Sequence, residues 1–162
     1  MLVAVDFKKQ DRVAADWLLN YHDRRRAYID AQESYTALSA TAMTGMPHGS
    51  CTSNPTEQRA LSLAELERQK MWIMTVEDTE SVFGDKKKTF LDLRRQAALI
   101  ESGEVGRPGW VDYVQAKYAD WHEQRYGKAC VPAKITLYRW WDEIVEVAVR
   151  IAIKRGLLVP LP

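Results

Sequence analysis

Glycine, proline and cysteine are scarce in this chain of 162 residues, which has eight glycines, six prolines and two cysteines. So few turn-forming residues argue against a β-sandwich, which needs a turn at roughly every 8–12 residues. No apolar run reaches the roughly 18 residues that cross a bilayer, and only five residues precede the first charge, too few for a secretory signal. We therefore expect an all-α protein of the cytoplasm that is not inserted in a membrane.

Residues that carry chemistry are also few. Cys51 and Cys130 lie far apart and have no second cysteine or histidine at ligand spacing, which argues against a disulfide framework and a zinc site. No phosphate-binding glycine loop, nucleophile elbow or metalloprotease motif is present. His48 lies near Cys51, but a glycine-flanked loop rarely preorganises a nucleophile and its base. We expect no enzymatic activity, no cofactor and no metal.

Charge is distributed unevenly along the chain. Residues 1–81 carry a net charge of −3 and residues 82–162 a net charge of +4. The stretch 125–155 holds seven basic and three acidic residues. A polyanion is therefore expected to meet the C-terminal end.

The N-terminal half has a helical pattern. Tyr21, Tyr28 and Tyr35 recur every seven residues, which predicts one long helix over about residues 11–40. A loop follows at 41–55, and Asn54-Pro55 has the form of a helix cap and first helical residue. The sequence thus predicts an αα-hairpin in residues 1–84. Its long apolar stripe also predicts self-association, most simply as a dimer.

Three further helices are predicted in residues 85–162. The first spans Phe90 to Ile100, the second runs from Trp110 to about Tyr126 and ends at Gly127, and the last ends at Gly156. The last two, joined by a connection through Pro132, have the order of a helix-turn-helix. This half is therefore expected to form a helix-turn-helix-like unit.

The segment TLYRWW at residues 136–141 begins the last helix with side chains suited to DNA. A recognition helix needs one buried face, here Leu137, Trp141, Ile144 and Val145, and reaches base edges from its N-terminal end. Thr136, Tyr138 and Arg139 are the candidates for base edges, and Arg125, Lys128 and Lys134 those for phosphates. The same pattern also fits a packing helix of a bundle, and these residues alone leave both interpretations open.

A resemblance favours the first interpretation. Residues 44–50 (TGMPHGS) and 53–56 (SNPT), lying between two helical segments and followed by the candidate helix-turn-helix at 136–140, are similar to phage regulators of the RinA/ArpU type. Those are small helical proteins of phages and prophages, and their C-terminal part resembles sigma-factor region four. The resemblance implies a regulator of phage late genes that binds double-stranded DNA. It also makes the host RNA polymerase a candidate partner, and whether the protein contacts it stays open.

A different class of function stays open. Long helix pairs also build oligomers, so the chain could be a phage structural or packaging component such as a small terminase-like subunit. Size in solution separates the two hypotheses, because a regulator is expected as a monomer or dimer and a packaging subunit as a ring.

Overall fold

The computed structural model describes residues 2–41, 55–101 and 109–160. Within these ranges all regular structure is helical and no strand occurs, which confirms the all-α prediction. The helices are α1 (Leu2–Leu19), α2 (Tyr21–Thr41), α3 (Pro55–Val82), α4 (Asp85–Glu101), α5 (Trp110–Tyr126) and α6 (Lys134–Lys154). Among the described helices, none combines the length and the apolar character that crossing a membrane requires.

The expected single helix over residues 11–40 is wrong, because the chain leaves helical geometry at Asn20 and α1 begins earlier, at Leu2. The Asn20 amide donates to the Asp16 carboxylate at 2.8 Å. Asparagine is a weak helix former because its short polar side chain competes for nearby hydrogen bonds. Backbone bonds still run from Asn20 N–H to the Asp16 carbonyl and from Arg24 N–H to the Asn20 carbonyl, so the interruption is local.

Glycines end α5 and α6 as the sequence predicts. Gly127 has a φ of 70°, a left-handed conformation that costs glycine little, and its N–H donates to the Glu123 carbonyl at 2.8 Å. Gly156 has a φ of 72°, and the next N–H, that of Leu157, donates back to Ala152 at 2.9 Å. This hydrogen bond satisfies a carbonyl of the last turn of α6.

Helix α6 lies at the centre of the fold and packs against α1, α3, α4 and α5. The predicted face is buried at Leu137, Ile144 and Val145, while Trp141 is only partly buried. Full burial of one Leu or Ile side chain is worth about 1.5–3 kcal/mol. The apolar stripe of α6 is therefore a major source of the stability of this core.

Helix α1 covers one side of α6 although the two are distant in the sequence. Ala14 and Leu18 of α1 are buried, and the Gln10 amide donates to the Val159 carbonyl at 2.6 Å. The Trp17 ring stacks on Trp72 of α3 with 5.5 Å between centroids. The core thus contains residues from both sides of position 84, and the division into units 1–84 and 85–162 stays a prediction.

A buried cation joins three helices. Arg95 of α4 is only 4% exposed, donates to the Leu18 carbonyl at 2.7 Å and pairs with Glu80 of α3 at 2.5 Å. Pairing and hydrogen bonding are what make a buried charge tolerable. Arg95 therefore fixes the position of α4 against the end of α1 and the end of α3.

Helix α2 packs along α3 but extends beyond the core. The Tyr21 hydroxyl donates to the Glu77 carboxylate at 2.8 Å, and burial together with this bond raises the pKa of Tyr21 to about 12. Further from the core, Leu38, Leu61 and Leu63 are more than half exposed. The predicted architecture, an N-terminal αα-hairpin followed by a C-terminal helix-turn-helix-like unit, stays a prediction.

Three carboxylates meet where α1 crosses α6. Asp11 and Arg12 of α1 line a groove of about 540 Å³ together with Asp142 and Glu146 of α6. Partial burial raises the pKa of Asp11 above its ordinary value, and the negative charges of Asp142 and Glu146 raise it further. Ionised Asp11 therefore opposes the packing of α1 on α6.

We expect Asp11→Asn to stabilise the fold at pH 7 by about 0.2–1 kcal/mol, the scale of exposed charge interactions. Because its pKa is raised, Asp11 of the folded protein keeps its proton at pH values where Asp11 of the unfolded chain has lost it. The contribution of Asp11 to the free energy of unfolding is therefore greatest below its ordinary pKa and falls as the pH rises through its raised pKa. Urea denaturation between pH 3.5 and 7 measures this, and the variant should lose less stability as pH rises. Exposed Asp30 on α2 supplies the control, Asp30→Asn. Equal changes in the free energy of unfolding for Asp11→Asn and Asp30→Asn would contradict the unfavourable position of Asp11 between α1 and α6.

Candidate nucleic-acid interface

The connection between α5 and α6 lies along α5. His122 Nδ1 donates to the Lys128 carbonyl at 2.6 Å, and the Gln115 amide donates to the Pro132 carbonyl at 2.8 Å. Pro132 is buried, and Ala133 is extended, with a ψ of 147°. Because this connection is held at both ends, it fixes where the first turn of α6 begins.

The first two turns of α6 present side chains to solvent. Ile135 is 68% exposed and Tyr138 is 50% exposed, while Leu137 between them is fully buried. Arg139 is exposed one turn after Ile135, and Thr136 is partly buried. Residues four apart share a helix face, so Ile135 and Arg139 project from the same side of α6.

Lys134 at the start of α6 is in an ion pair. Its Nζ lies 2.9 Å from Asp112 Oδ1 in the first turn of α5. The hydrogen bond to Asp112 and the charge of that carboxylate raise the pKa of Lys134 above its ordinary value. A DNA phosphate would therefore compete with Asp112 for this ammonium group.

Arg125 lies near a different carboxylate. Its guanidinium is 3.3 Å from Asp85 at the start of α4, and both side chains are more than half exposed. Lys128 is exposed. No hydrogen bond or ion pair between described residues joins either one to the four predicted contacts on α6. Among the described residues, no carboxylate forms an ion pair with Lys128 or with Arg139.

Aromatic contacts support the start of α6. The Tyr138 ring meets Trp110 of α5 edge to face, with 5.3 Å between centroids. Trp140 has similar contacts with Phe90 of α4 and Tyr118 of α5, each at 5.7 Å. The residues on either side of Arg139, Tyr138 and Trp140, are thus both held by contacts with other aromatic rings.

The middle of the outward side of α6 is acidic, while Arg150 and Lys154 are exposed nearer its end. Asp142 and Glu146 face Asp11 across the groove with α1, and Glu143 pairs with Lys87 of α4. Carboxylates repel phosphates, so this part of α6 is unsuited to contact with the DNA backbone. The charge pattern therefore favours DNA contact at the first two turns of α6 over contact at its middle.

Sequence reasoning did not find Asp85 and Asp112, which pair with two of the predicted phosphate contacts. Each carboxylate lies 22 or more residues before its partner, and residue spacing gives no signal for such a pair. A second groove, where Tyr126 and Trp140 meet the start of α4, was also not predicted. The lysine run at 86–88 is the one sequence signal that pointed there.

Comparisons with protein-family models, with curated proteins and with solved structures found no match to this chain. Residues 44–54, which carry most of the resemblance to the phage regulators, lie outside the described residues, as does Cys51. Cys130 is exposed and not in a disulfide.

We expect Asp112→Asn to lower the pKa of Lys134, because the substitution removes the negative charge that favours its protonated form. An NMR titration that follows the lysine side-chain signals measures the shift. Asp120→Asn on the same helix is the control, since Asp120 is exposed and has no ion-pair partner among the described residues. A Lys134 titration that Asp112→Asn leaves unchanged would show that the ion pair does not form in solution.

Proposed function

We propose that the protein is a sequence-specific transcription regulator that binds double-stranded DNA through the N-terminal end of α6. The observation that supports this most is the outward pair formed by Ile135, which is 68% exposed, and Arg139. Arginine can bind guanine in the major groove through two hydrogen bonds, and an apolar side chain can contact the thymine methyl group. Its exposure leaves the Ile135 side chain available for such a contact.

The charges around α6 set the direction of approach. Recognition helices contact bases mainly through their N-terminal residues, and here the acidic residues Asp142, Glu143 and Glu146 come later in the helix. The N-terminal end also carries the partial positive charge of the helix dipole. DNA would therefore meet residues 134–139 end on, with the acidic part of α6 directed away from the phosphates.

The six candidate residues divide by the partners they already have. Arg139 and Lys128 are exposed and unpaired among the described residues, so they can bind DNA without breaking an ion pair. Lys134 and Arg125 must exchange a carboxylate for a phosphate, which reduces their net contribution. Thr136 and Tyr138 supply hydroxyl groups close to Arg139 in the sequence. We assign base recognition first to Arg139 and backbone contact first to Lys128.

The biological setting of this proposal comes from the resemblance to phage regulators. That resemblance implies a host bacterial cell, action at late or packaging genes of a phage or prophage, and the host RNA polymerase as a candidate partner. Two-fold assembly through α2 and α3 would present two copies of α6 to two half-sites, as dimeric regulators do.

Arg139→Ala is expected to cost about 1–3 kcal/mol on the cognate site and to relax the preference at one base pair. The site would first be obtained by selection from random duplex DNA, and binding would then be measured by fluorescence anisotropy. Arg150→Ala is the matched control, because Arg150 lies on the same helix, about three turns beyond Arg139, and pairs with Glu146 at 2.5 Å. Equal binding by wild type and both variants would exclude the assigned surface.

Lys128→Ala belongs to the same experiment but should behave differently. A phosphate contact carries no sequence information, so cognate and random DNA should both bind more weakly. The slope of log affinity against log salt should fall by about 0.9 for one lost contact. An unchanged slope would remove Lys128 from the interface while leaving the test of Arg139 intact.

A packaging component is the second candidate, and the exposed leucines of the α2–α3 pair favour it. Leu38, Leu61 and Leu63 are 68%, 66% and 53% exposed. Exposed apolar side chains suit association with other chains, and Leu61 and Leu63, two residues apart, offer them on two different sides of α3. A ring of many copies would use such a surface for assembly and only weakly engage DNA.

Light scattering coupled to size exclusion separates the two candidates. We expect a dimer at micromolar concentration, and the double variant Leu61→Ser with Leu63→Ser should convert it to a monomer by removing apolar contact area. Leu99→Ser on α4 is the control, because Leu99 is also 66% exposed but lies elsewhere in the fold. A wild-type ring would favour packaging, and a wild-type monomer would contradict self-association.

A further inference from the structure

A groove of about 590 Å³ opens where α3 passes into α4. It is lined by residues 82–87, by Tyr126 at the end of α5 and by Trp140 of α6. The chain turns there through Gly84, and the first turn of α4 begins directly after it. The groove is broad and largely open to solvent.

Three aromatic side chains line the groove, and two of them are fixed by neighbouring rings. Trp140 contacts Phe90 edge to face and Tyr118 at a tilt, with 5.7 Å between centroids in both pairs. Tyr126 contacts His122, with 4.7 Å between centroids, and remains 50% exposed. Phe83 is the third ring. Held but accessible rings of this kind suit the stacking of a planar group, because little conformational freedom is lost on binding.

The polar side of the groove favours an anion. Asp85 pairs with Arg125, and Lys87 pairs with Glu143, so these four charges balance. Lys86 remains exposed in the groove with no carboxylate partner among the described residues. The groove between α1 and α6 is of similar size but acidic, so an anionic ligand would prefer the groove at the start of α4.

We propose that this groove binds one nucleotide, with the base against Tyr126 and Trp140 and the phosphate at Lys86. Aromatic rings beside a lysine match both parts of a nucleotide, whereas a lysine alone would match any anion. The ligand can be a free nucleotide or an unpaired nucleotide of a single strand, since both offer the same chemistry. This site is distinct from the proposed duplex contacts on the outward side of α6 and goes beyond that function.

The test uses the full chain with two probes, deoxyadenosine monophosphate measured by calorimetry and a fluorescein-labelled oligodeoxyadenylate measured by anisotropy. Lys86→Gln and Tyr126→Leu should each weaken binding about 5- to 100-fold, the range measured for lost stacking and charge contacts. Lys88→Gln and Tyr35→Leu are matched controls, because Lys88 lies in the same turn outside the groove and Tyr35 lies on α2, away from the groove and from the proposed duplex contacts. Both controls should stay within about twofold of wild type.

The outcomes separate the sources of the ligand and the two proposals. Binding of both probes indicates that a free nucleotide suffices, and binding of the oligonucleotide alone indicates a single strand. The proposal is overturned if neither probe binds below millimolar concentration, if inorganic phosphate binds as tightly as the nucleotide, or if Lys88→Gln matches Lys86→Gln. Lys86 is exposed, so its variant decides the test even if Tyr126→Leu unfolds. Arg139→Ala should leave nucleotide binding intact, and so failure of the duplex proposal is seen separately.

Discussion

The apolar face of α6 must be removed from water, and the rest of the fold depends on how this is done. Leu137, Ile144 and Ala148 have almost no exposed surface, because α1, α3, α4 and α5 all pack around this helix. Burial on so many sides leaves α6 only an outward stripe and its N-terminal end. The position of the candidate interface is therefore a consequence of packing, since those turns are where α6 can meet a partner.

Carboxylate groups beside the candidate interface reduce the positive charge that it offers to a ligand. Asp112 holds Lys134 and Asp85 lies against Arg125, so two of the four candidate cations are neutralised in the free protein. Such exposed pairs are weak and exchange readily, but they reduce general attraction to polyanions. In the proposed complex with DNA, such a surface would favour discrimination over strong non-specific binding, because Arg139 would contribute mainly where a suitable base faces it.

Local sequence patterns predicted most of the helices, but they did not predict contacts between residues that are far apart in the sequence. Gly127 and Gly156 end helices because their conformation is a property of the residue, and the periodicity of α6 identified its buried face. The break at Asn20 was missed because a weak helix former is often tolerated within a helix. The groove near Gly84 was missed because its walls come from three stretches of chain that only tertiary packing brings together.

The contact between α1 and α6 also constrains the order in which the chain can fold. The Gln10 amide of α1 binds the Val159 carbonyl, which comes after the end of α6 and 149 residues along the chain, so α1 leaves the ribosome long before α6 exists. During synthesis the apolar side of α1, with Ala14 and Leu18, has to wait uncovered or rest on temporary contacts. Contacts of such long range slow folding and expose apolar surface on the way. Completion of α6 is thus the event that lets the N-terminal helix reach its final place.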